Sequence, residues 1–353
     1  MSVCAKIRKR LGDFTLDVEF ESENGTLGLL GASGCGKSLT LKCIAGVVRP
    51  DEGLITVNGR VLFDSQRKID LKPQQRHVGL MFQNYALFPN MTLKENISSV
   101  IKYSSGCRKI GKKLEELTES LFLRGLEDHY PCQLSGGQQQ RAALARILAS
   151  EPQLIMLDEP LSALDSYLRW QVEQELSGAL ASFGGTTLYV SHNRNEVFRM
   201  CKNICVINRG RSEKVCSSEI LFKAPSTLSA ALLSGCRNFS RVSGTEDGMM
   251  RALDWHTVLK CREIRGDIRF VGVRSHHVVP AAEGDEGSIL CRIIKTERDV
   301  FHTSVLLLPV GSDSKNELSY IRMELSNSSD VSTEEGETIR VSICGKHILP
   351  LTA

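Results

Sequence analysis

The chain lacks several features that would mark a membrane-spanning or exported protein. None of its apolar runs approaches the roughly 18 residues that a membrane-spanning helix needs. Basic residues near the start, among them Lys9 and Arg10, are followed by mixed polar residues and not by the apolar core of a signal peptide. We therefore expect the chain to stay in the cytosol.

Neither sign of charge is in large excess, and the cysteines show no metal-binding spacing. The 44 Lys and Arg oppose 41 Asp and Glu, a balance that argues against an electrostatic nucleic-acid binder and leaves only a local basic patch open. The twelve cysteines form no C-x-x-C pair, so we expect reduced core thiols and neither a disulfide framework nor a zinc site. At 353 residues the chain exceeds the usual single-core size, which predicts two domains.

The chain does contain a glycine-rich loop that fits the phosphate-binding pattern G-x-x-x-x-G-K-[ST]. An apolar strand candidate, 27–30, runs into the loop, and 39–45 is predicted to be a helix after it. The amides of the loop and the N-terminus of the helix would therefore face the same bound anion. Lys37 can reach the β- and γ-phosphates, and the Ser38 hydroxyl can bind Mg²⁺. An ordinary glycine turn is the alternative, but chance gives this pattern in only about one such chain in fifty. The candidate nucleotide-binding residues here are Gly31, Ala32, Ser33, Gly34, Cys35, Gly36, Lys37, Ser38 and Leu39.

Strands alternate with helices around this loop, which predicts an α/β fold with a mainly parallel sheet and a ligand at the strands' carboxyl ends. An alternating strand is predicted at 14–20, where a small antiparallel sheet could begin, and a hairpin is predicted to turn at Asn58-Gly59. Between about 92 and 150 the pattern is helical with no strand signal, which indicates a helical insert. Further strands are predicted at 77–82, 154–157, 187–190 and 204–207, with a helix at about 167–182.

Two carboxylates, Asp158 and Glu159, follow the apolar strand 154–157. Their place at the sheet edge favours Asp158 as a Mg²⁺ ligand and Glu159 as the group that orients or deprotonates the attacking water. A solvated strand end is the alternative, and it is disfavoured beside a phosphate-binding loop.

A second anion-binding helix end is predicted at Leu134-Ser135-Gly136-Gly137-Gln138. Ser135 can cap the helix, and the two glycines permit close approach of an anion. One triphosphate does not easily need two such sites from one chain. A head-to-tail pair of chains, each donating this segment to the other's nucleotide, explains both.

The motifs together resemble those of an ABC-transporter ATPase subunit, over roughly 3–233. The resemblance rests on the phosphate-binding loop, the segment 134–138 and the Asp158-Glu159 pair, in the family's order and spacing with Gln83, Ser162-Ala163-Leu164-Asp165 and His192.

The resemblance implies a P-loop NTPase fold that binds ATP and Mg²⁺ and hydrolyses ATP. It implies that Gln83 contacts Mg²⁺ and water, that 84–93 touches a membrane subunit, that 162–165 crosses the dimer interface and that His192 contacts the γ-phosphate. The implied assembly is a homodimer beneath two membrane-spanning permease subunits, peripheral on the cytoplasmic membrane face and served by an extracytoplasmic solute-binding protein. Asn193 replaces the family's usual Asp. Phe14 is the nearby aromatic candidate for stacking on adenine, with core packing as an equal alternative.

The pattern changes after about residue 235 to short strands that predict a small all-β barrel. The predicted domains are a nucleotide-binding domain at 1–235, with a helical subdomain at about 92–150, and a β-barrel regulatory or dimerisation domain at 236–353. Segment 270–278 resembles the strand that opens the oligonucleotide-barrel-like (TOBE/Mop-type) domain of importer ATPases.

Within that group, segments such as 236–240 look most like molybdate-type importers, so a molybdate or related oxyanion importer is the leading interpretation. Sulfate, iron or sugar import stays open, as does a non-transport ABC ATPase in DNA repair or translation. The predicted tail could sense the anion through a set of basic residues or only dimerise; that set is Arg274, His276, His277, Lys295 and Arg298.

Overall fold

The structure is a computed structural model that describes residues 2–105, 110–162, 166–246, 249–261, 267–285, 287–329 and 331–353. The chain divides into two compact units, 1–218 and 219–353. The predicted domain boundary at 235/236 stays a prediction.

Among its described residues, the first unit contains a twelve-stranded sheet and six α-helices. Its strands are β1 (Val3–Leu11), β2 (Phe14–Ser22), β3 (Gly25–Leu30), β4 (Glu52–Val57), β5 (Arg60–Asp64), β6 (Ile69–Asp70), β7 (Val78–Met81), β8 (Leu154–Asp158), β9 (Thr186–Ser191), β10 (Asn203–Asn208), β11 (Arg211–Ser212) and β12 (Cys216–Ser217). Its helices are α1 (Lys37–Ala45), α2 (Leu93–Ser105), α3 (Ile110–Ser120), α4 (Gly136–Ala149), α5 (Ser166–Phe183) and α6 (Arg194–Met200).

The sheet is mixed, with order β6-β5-β4-β1-β2-β11-β10-β3-β9-β8-β7 and β12 paired to β10. Strands β10, β3, β9, β8 and β7 form a parallel half, in which β8 and β9 are buried at every position. Strands β6, β5, β4, β1 and β2 form an antiparallel half, where β2 alternates buried and exposed residues as predicted. The prediction of a mainly parallel sheet therefore describes only the half that carries the phosphate-binding loop.

The predicted hairpin and helical insert are both confirmed. Asn58 and Gly59 have positive φ angles of 51° and 76° and join β4 to β5, as a tight hairpin turn requires. Helices α2, α3 and α4 lie between β7 and β8 in sequence, and the described residues between those two strands contain no further strand.

The second unit is a nearly closed all-β barrel built from two five-stranded sheets, of order β15-β14-β13-β16-β22 and β17-β21-β18-β19-β20. Its strands are β13 (Asn238–Glu246), β14 (Met249–Ala252), β15 (Thr257–Lys260), β16 (Phe270–Val273), β17 (Val278–Pro280), β18 (Ile289–Arg298), β19 (His302–Pro309), β20 (Ile321–Ser326), β21 (Thr338–Ile343) and β22 (Leu349–Leu351). Two short helices, α7 (Ser218–Lys223) and α8 (Leu228–Leu233), precede the barrel strands. Trp255, 1% exposed, lies in the barrel core.

Candidate active site

Four adjacent parallel strands bring the predicted site residues to one edge of the sheet. The phosphate-binding loop follows β3, His192 follows β9, Asp158 ends β8 and Gln83 lies in an exposed turn after β7. Strand order β3-β9-β8-β7 makes each of these ends a neighbour of the next. Residues far apart in the chain are therefore collected where a bound nucleotide would lie in an open parallel sheet.

Gly36 determines the conformation of the loop backbone, and the Lys37 side chain lies inside the loop. Gly36 has φ of 111°, and a Cβ there would lie 2.5 Å from Leu16 Cδ1, so a side chain would strain the backbone and would displace the Leu16 side chain. The Lys37 ammonium, 5% exposed, donates hydrogen bonds to the carbonyls of Gly31 and Ala32, both at 2.8 Å. Its Nζ lies 3.8 Å from Cys35 Sγ. A buried cation thus lies inside a curled loop whose helix begins at the same residue.

A hydroxyl and a carboxylate meet across the edge. Ser38 Oγ donates to Asp158 Oδ1 at 2.9 Å. Burial raises the pKa of Asp158, which is 8% exposed, and the bond from Ser38 opposes that rise. A desolvated carboxylate beside a hydroxyl oxygen is a donor pair that fits Mg²⁺, an ion that takes few protein ligands and completes its shell with phosphate and water. Over the described ranges, no group of three or more His, Cys, Asp and Glu side chains could hold a metal ion. A Mg²⁺ site that is completed by phosphate and water does not need such a group.

Glu159 and His192 lie in contact beyond the strand ends. His192 Nδ1 is 3.1 Å from Glu159 Oε1, and their side chains are 61% and 21% exposed. Glu159 has a positive φ of 49°, and its carbonyl accepts hydrogen bonds from the Ser162 amide and hydroxyl. This left-handed backbone turns the Glu159 side chain out of the direction that β8 would give it. The carboxylate and imidazole can therefore act on the same bound group.

The second helix end has the predicted cap. Ser135 Oγ accepts from the Gln138 amide at 3.3 Å, and Gln138 Oε1 accepts from the Ser135 amide at 2.8 Å. This reciprocal capping box fixes the start of α4, while Ser135 and Gly136 stay exposed. Gly137 is buried, and a Cβ there would lie 3.2 Å from Val172 Cγ2. Residues 163–165 of the predicted interface segment lie outside the described residues.

Phe14 borders a cavity of about 790 Å³ beside the phosphate-binding loop. The same cavity is lined by Ala32, Cys35 and Arg209, while Phe14 also packs on the core of the first unit. The two predicted roles of Phe14 are thus spatially compatible.

Comparison with known proteins identifies the family. The chain is 36% identical over 295 residues to the spermidine/putrescine import ATP-binding protein PotA of Chromobacterium violaceum, covering 82% of this chain and 77% of that protein. The chain belongs to the ABC transporter family. The family model matches residues 15–162, and the chain is an ABC ATPase.

A second sequence relative and a solved structure are also similar to this chain. The ABC ATPase is 38% identical over 205 residues to the molybdenum import ATP-binding protein ModC of Paramagnetospirillum magneticum, covering 58% of this chain and 56% of that protein. The dimeric structure of the ATP-binding cassette MJ0796, in a post-hydrolysis state bound to ADP and Pi, matches 62% of this chain and 99% of its own at 28% identity, with a TM-score of 0.52. The predicted P-loop fold is confirmed. Among the described residues, no helix is long and apolar enough to cross a membrane.

One residue that supports the ABC ATPase site was missed by sequence reasoning. Arg76, 0% exposed, donates to the Cys43 and Ile44 carbonyls at 2.9 and 2.8 Å, at the end of α1. It also pairs with Asp70 at 2.9 Å. It thereby anchors the helix that carries Lys37 and Ser38. In the sequence it follows a polar run, 72–75, which gives no sign of burial.

Proposed function

We propose that this ABC ATPase is the motor subunit of an importer. Two copies would pair head to tail beneath two permease subunits, at the cytoplasmic membrane face, and an extracytoplasmic binding protein would deliver the solute. The convergence of the loop, Asp158, Glu159 and His192 on one sheet edge carries the proposal of hydrolysis. The import names of PotA and ModC support the direction of transport.

The phosphates would bind in the loop. Its amides and the start of α1 would present positive charge to the anion. The Lys37 ammonium can exchange its two carbonyl partners for phosphate oxygens. Ser38, Asp158 and Gln83 would hold Mg²⁺, which when bound neutralises charge on the phosphate oxygens.

Glu159 would then accept a proton from the attacking water or orient it. His192, 3.1 Å away, would hydrogen-bond both Glu159 and the γ-phosphate, and so align the water with the phosphorus. The exposed start of α4, with Ser135 and Gly136, would close on the partner chain's γ-phosphate. Each site would then need both chains.

Binding and turnover together test this function. The full-length chain should bind ATP by calorimetry, release phosphate only with Mg²⁺, and form a nucleotide-dependent dimer by light scattering. A non-transport ABC ATPase is the rival, although such proteins usually carry a long coiled-coil insertion or two fused nucleotide domains. Stimulation of turnover by nucleic acid or ribosomes, and not by co-purified permease, would favour the rival.

For the solute we propose a molybdate-like oxyanion, with sulfate, iron and sugar as alternatives. Support comes from a cavity of about 670 Å³ in the second unit, lined by Lys295 and Arg298 together with Arg237 and Arg322. Acidic neighbours, including Glu297 bonded to Lys295, offset part of that charge. Arg274, named with this set from sequence, is engaged elsewhere: it donates to the carbonyls of Phe222 and Ser234.

Calorimetry on the full-length chain with molybdate, sulfate and spermidine tests the solute class. Binding of an oxyanion that Arg298→Glu with Arg322→Glu abolishes would support the proposal. Absence of binding at millimolar anion would leave the second unit with a dimerisation role only. Uptake assays after deletion of the gene then identify the carried solute.

A further inference from the structure

Glu196 is a buried carboxylate to which sequence reasoning assigned no role. It lies in the first turn of α6 and is 3% exposed. Its Oε2 accepts hydrogen bonds from Ser191 Oγ at 2.8 Å and from Tyr189 O–H at 3.4 Å, and its Oε1 accepts from Asn193 Nδ2 at 3.1 Å. A buried charge is costly unless several donors surround it, and here three side chains do.

Two of those donors flank His192 in the sequence. Ser191 Oγ, besides donating to Glu196, accepts from the Asn193 amide at 2.9 Å. Asn193 also caps α6, because its Oδ1 accepts from the amides of Asn195 and Glu196. The backbone on both sides of His192 is thus tied to a single carboxylate.

The imidazole has little other support. The His192 side chain is 61% exposed, and its Nδ1 lies 3.1 Å from Glu159 Oε1. An exposed side chain takes its position from the backbone that carries it. The fixed loop therefore determines where the imidazole meets Glu159.

Glu196 also contacts the helix that follows the predicted interface segment. Arg169 Nε of α5 lies 3.9 Å from Glu196 Oε1, and α5 begins at Ser166. The carboxylate thus joins the His192 loop to the start of α5.

We propose that Glu196 is a positioning residue for hydrolysis, which holds His192 against Glu159 through Ser191 and Asn193. The proposal rests on the proposed ATPase role of His192. Packing of α6 on α5 is the alternative role, and it predicts a loss of stability without a specific loss of turnover.

Glu173 supplies a matched control. It is 1% exposed, lies on α5 and forms a two-pronged pair with Arg199 of α6, at 2.5 and 2.7 Å. Like Glu196 it is a buried carboxylate between the same two helices. Its hydrogen-bond partner, Arg199, lies outside the His192 loop.

The test compares Glu196→Gln with Glu173→Gln in the full-length chain. An amide replaces one accepting oxygen with a donor, so Glu196→Gln loses one of the two ties beside His192. We expect kcat to fall by about 10²-fold, the effect of a displacement on the order of 1 Å in a catalytic group, with the ATP Kd unchanged. Glu173→Gln should keep wild-type kcat even if its Tm falls as far. Equal kcat losses in both variants, or wild-type kcat in Glu196→Gln, would overturn the proposal.

Two further measurements keep the result decisive. If Glu196→Gln is insoluble, kcat is measured for Ser191→Ala instead. Wild-type kcat in Ser191→Ala would overturn the proposal. Amide hydrogen exchange over 189–195 should rise in Glu196→Gln and not in Glu173→Gln. That exchange difference needs no turnover, so it still tests the positioning role if the wild-type chain proves inactive and the proposed function itself fails.

Discussion

At the scale of single residues, Glu159 is the side chain on which we expect turnover to depend most. Glu159→Gln should retain ATP affinity and lower kcat by about 10²–10⁴-fold, since an amide cannot take the proton of the attacking water. Calorimetry and phosphate release measure the two quantities. Glu151→Gln is the matched control, because Glu151 has nearly the same positive φ, 50° against 49°, and pairs with Lys113. Wild-type turnover in Glu159→Gln would contradict the assignment.

Lys37 should act on binding itself. Removing a charge-assisted contact to phosphate in Lys37→Ala should weaken ATP affinity by about 10–100-fold. Lys94→Ala, an exposed lysine on α2, should leave the affinity unchanged. Calorimetric affinities that do not differ would show that the ammonium stays with the Gly31 and Ala32 carbonyls when ATP binds.

Residues of the site could be predicted from sequence where one motif places several groups. The loop 31–38 and the pair Asp158-Glu159 each place several functional groups next to one another in the sequence. Once the order of the strands is known, the proximity of the two motifs follows. Glu196 and Arg76 could not be found this way. The Cys43 and Ile44 carbonyls that accept from Arg76 lie more than 30 residues before it and meet it only in the fold. The three donors to Glu196 lie within seven residues of it, but no motif indicates that their side chains converge on one carboxylate.

At the scale of elements, the end of α1 depends on Arg76. Arg76→Ala would leave the buried Cys43 and Ile44 carbonyls without these bonds, and we expect the free energy of unfolding to fall by about 3 kcal/mol. Denaturant titration measures the change. Arg67→Ala, which removes an arginine 74% exposed that pairs with Asp64, should change stability by less than about 1 kcal/mol. A similar small loss in Arg76→Ala would refute the anchoring role.

The start of α4 is expected to act across the dimer. Ser135→Arg places a bulky cation where the partner's phosphate would lie, and kcat should fall by at least about 10²-fold while the single chain still binds ATP. Light scattering with nucleotide should show no dimer closure. Ser120→Arg, the same change on the exposed surface of α3, should dimerise normally. Closure that survives in Ser135→Arg would argue against head-to-tail pairing.

Elements with strong local signals were predicted well. The Asn58-Gly59 turn, the alternation of β2 and the long helices α2–α5 each show their pattern within one continuous segment of the sequence. Helices α7 and α8 were not predicted, because six residues give too short a periodic pattern to distinguish from a loop. The extent of the antiparallel half of the sheet was also not predicted. Its β1–β4 pairing joins residues about 50 positions apart, and a local sequence pattern does not show such a pairing.

At the scale of the whole molecule, the chain contains an ABC ATPase unit and a β-barrel unit. The nucleotide chemistry assigned to Lys37, Ser38, Asp158, Glu159 and His192 lies in the first unit, and the basic cavity lies in the second. The sequence distinguished these units through the change from alternating strands and helices to short strands. It could not assign the solute, since relatives named for a polyamine and for molybdenum match at 36% and 38% identity.

We propose that this chain hydrolyses ATP with Glu159 at the reacting water. Phosphate release by the full-length wild-type chain, measured beside Glu159→Gln at ATP concentrations where calorimetry shows both to be saturated, tests it most directly. We expect Mg²⁺-dependent release by the wild type that exceeds release by the variant by about 10²-fold or more. Equal release by the two proteins, or none by the wild type with ATP bound, would contradict it.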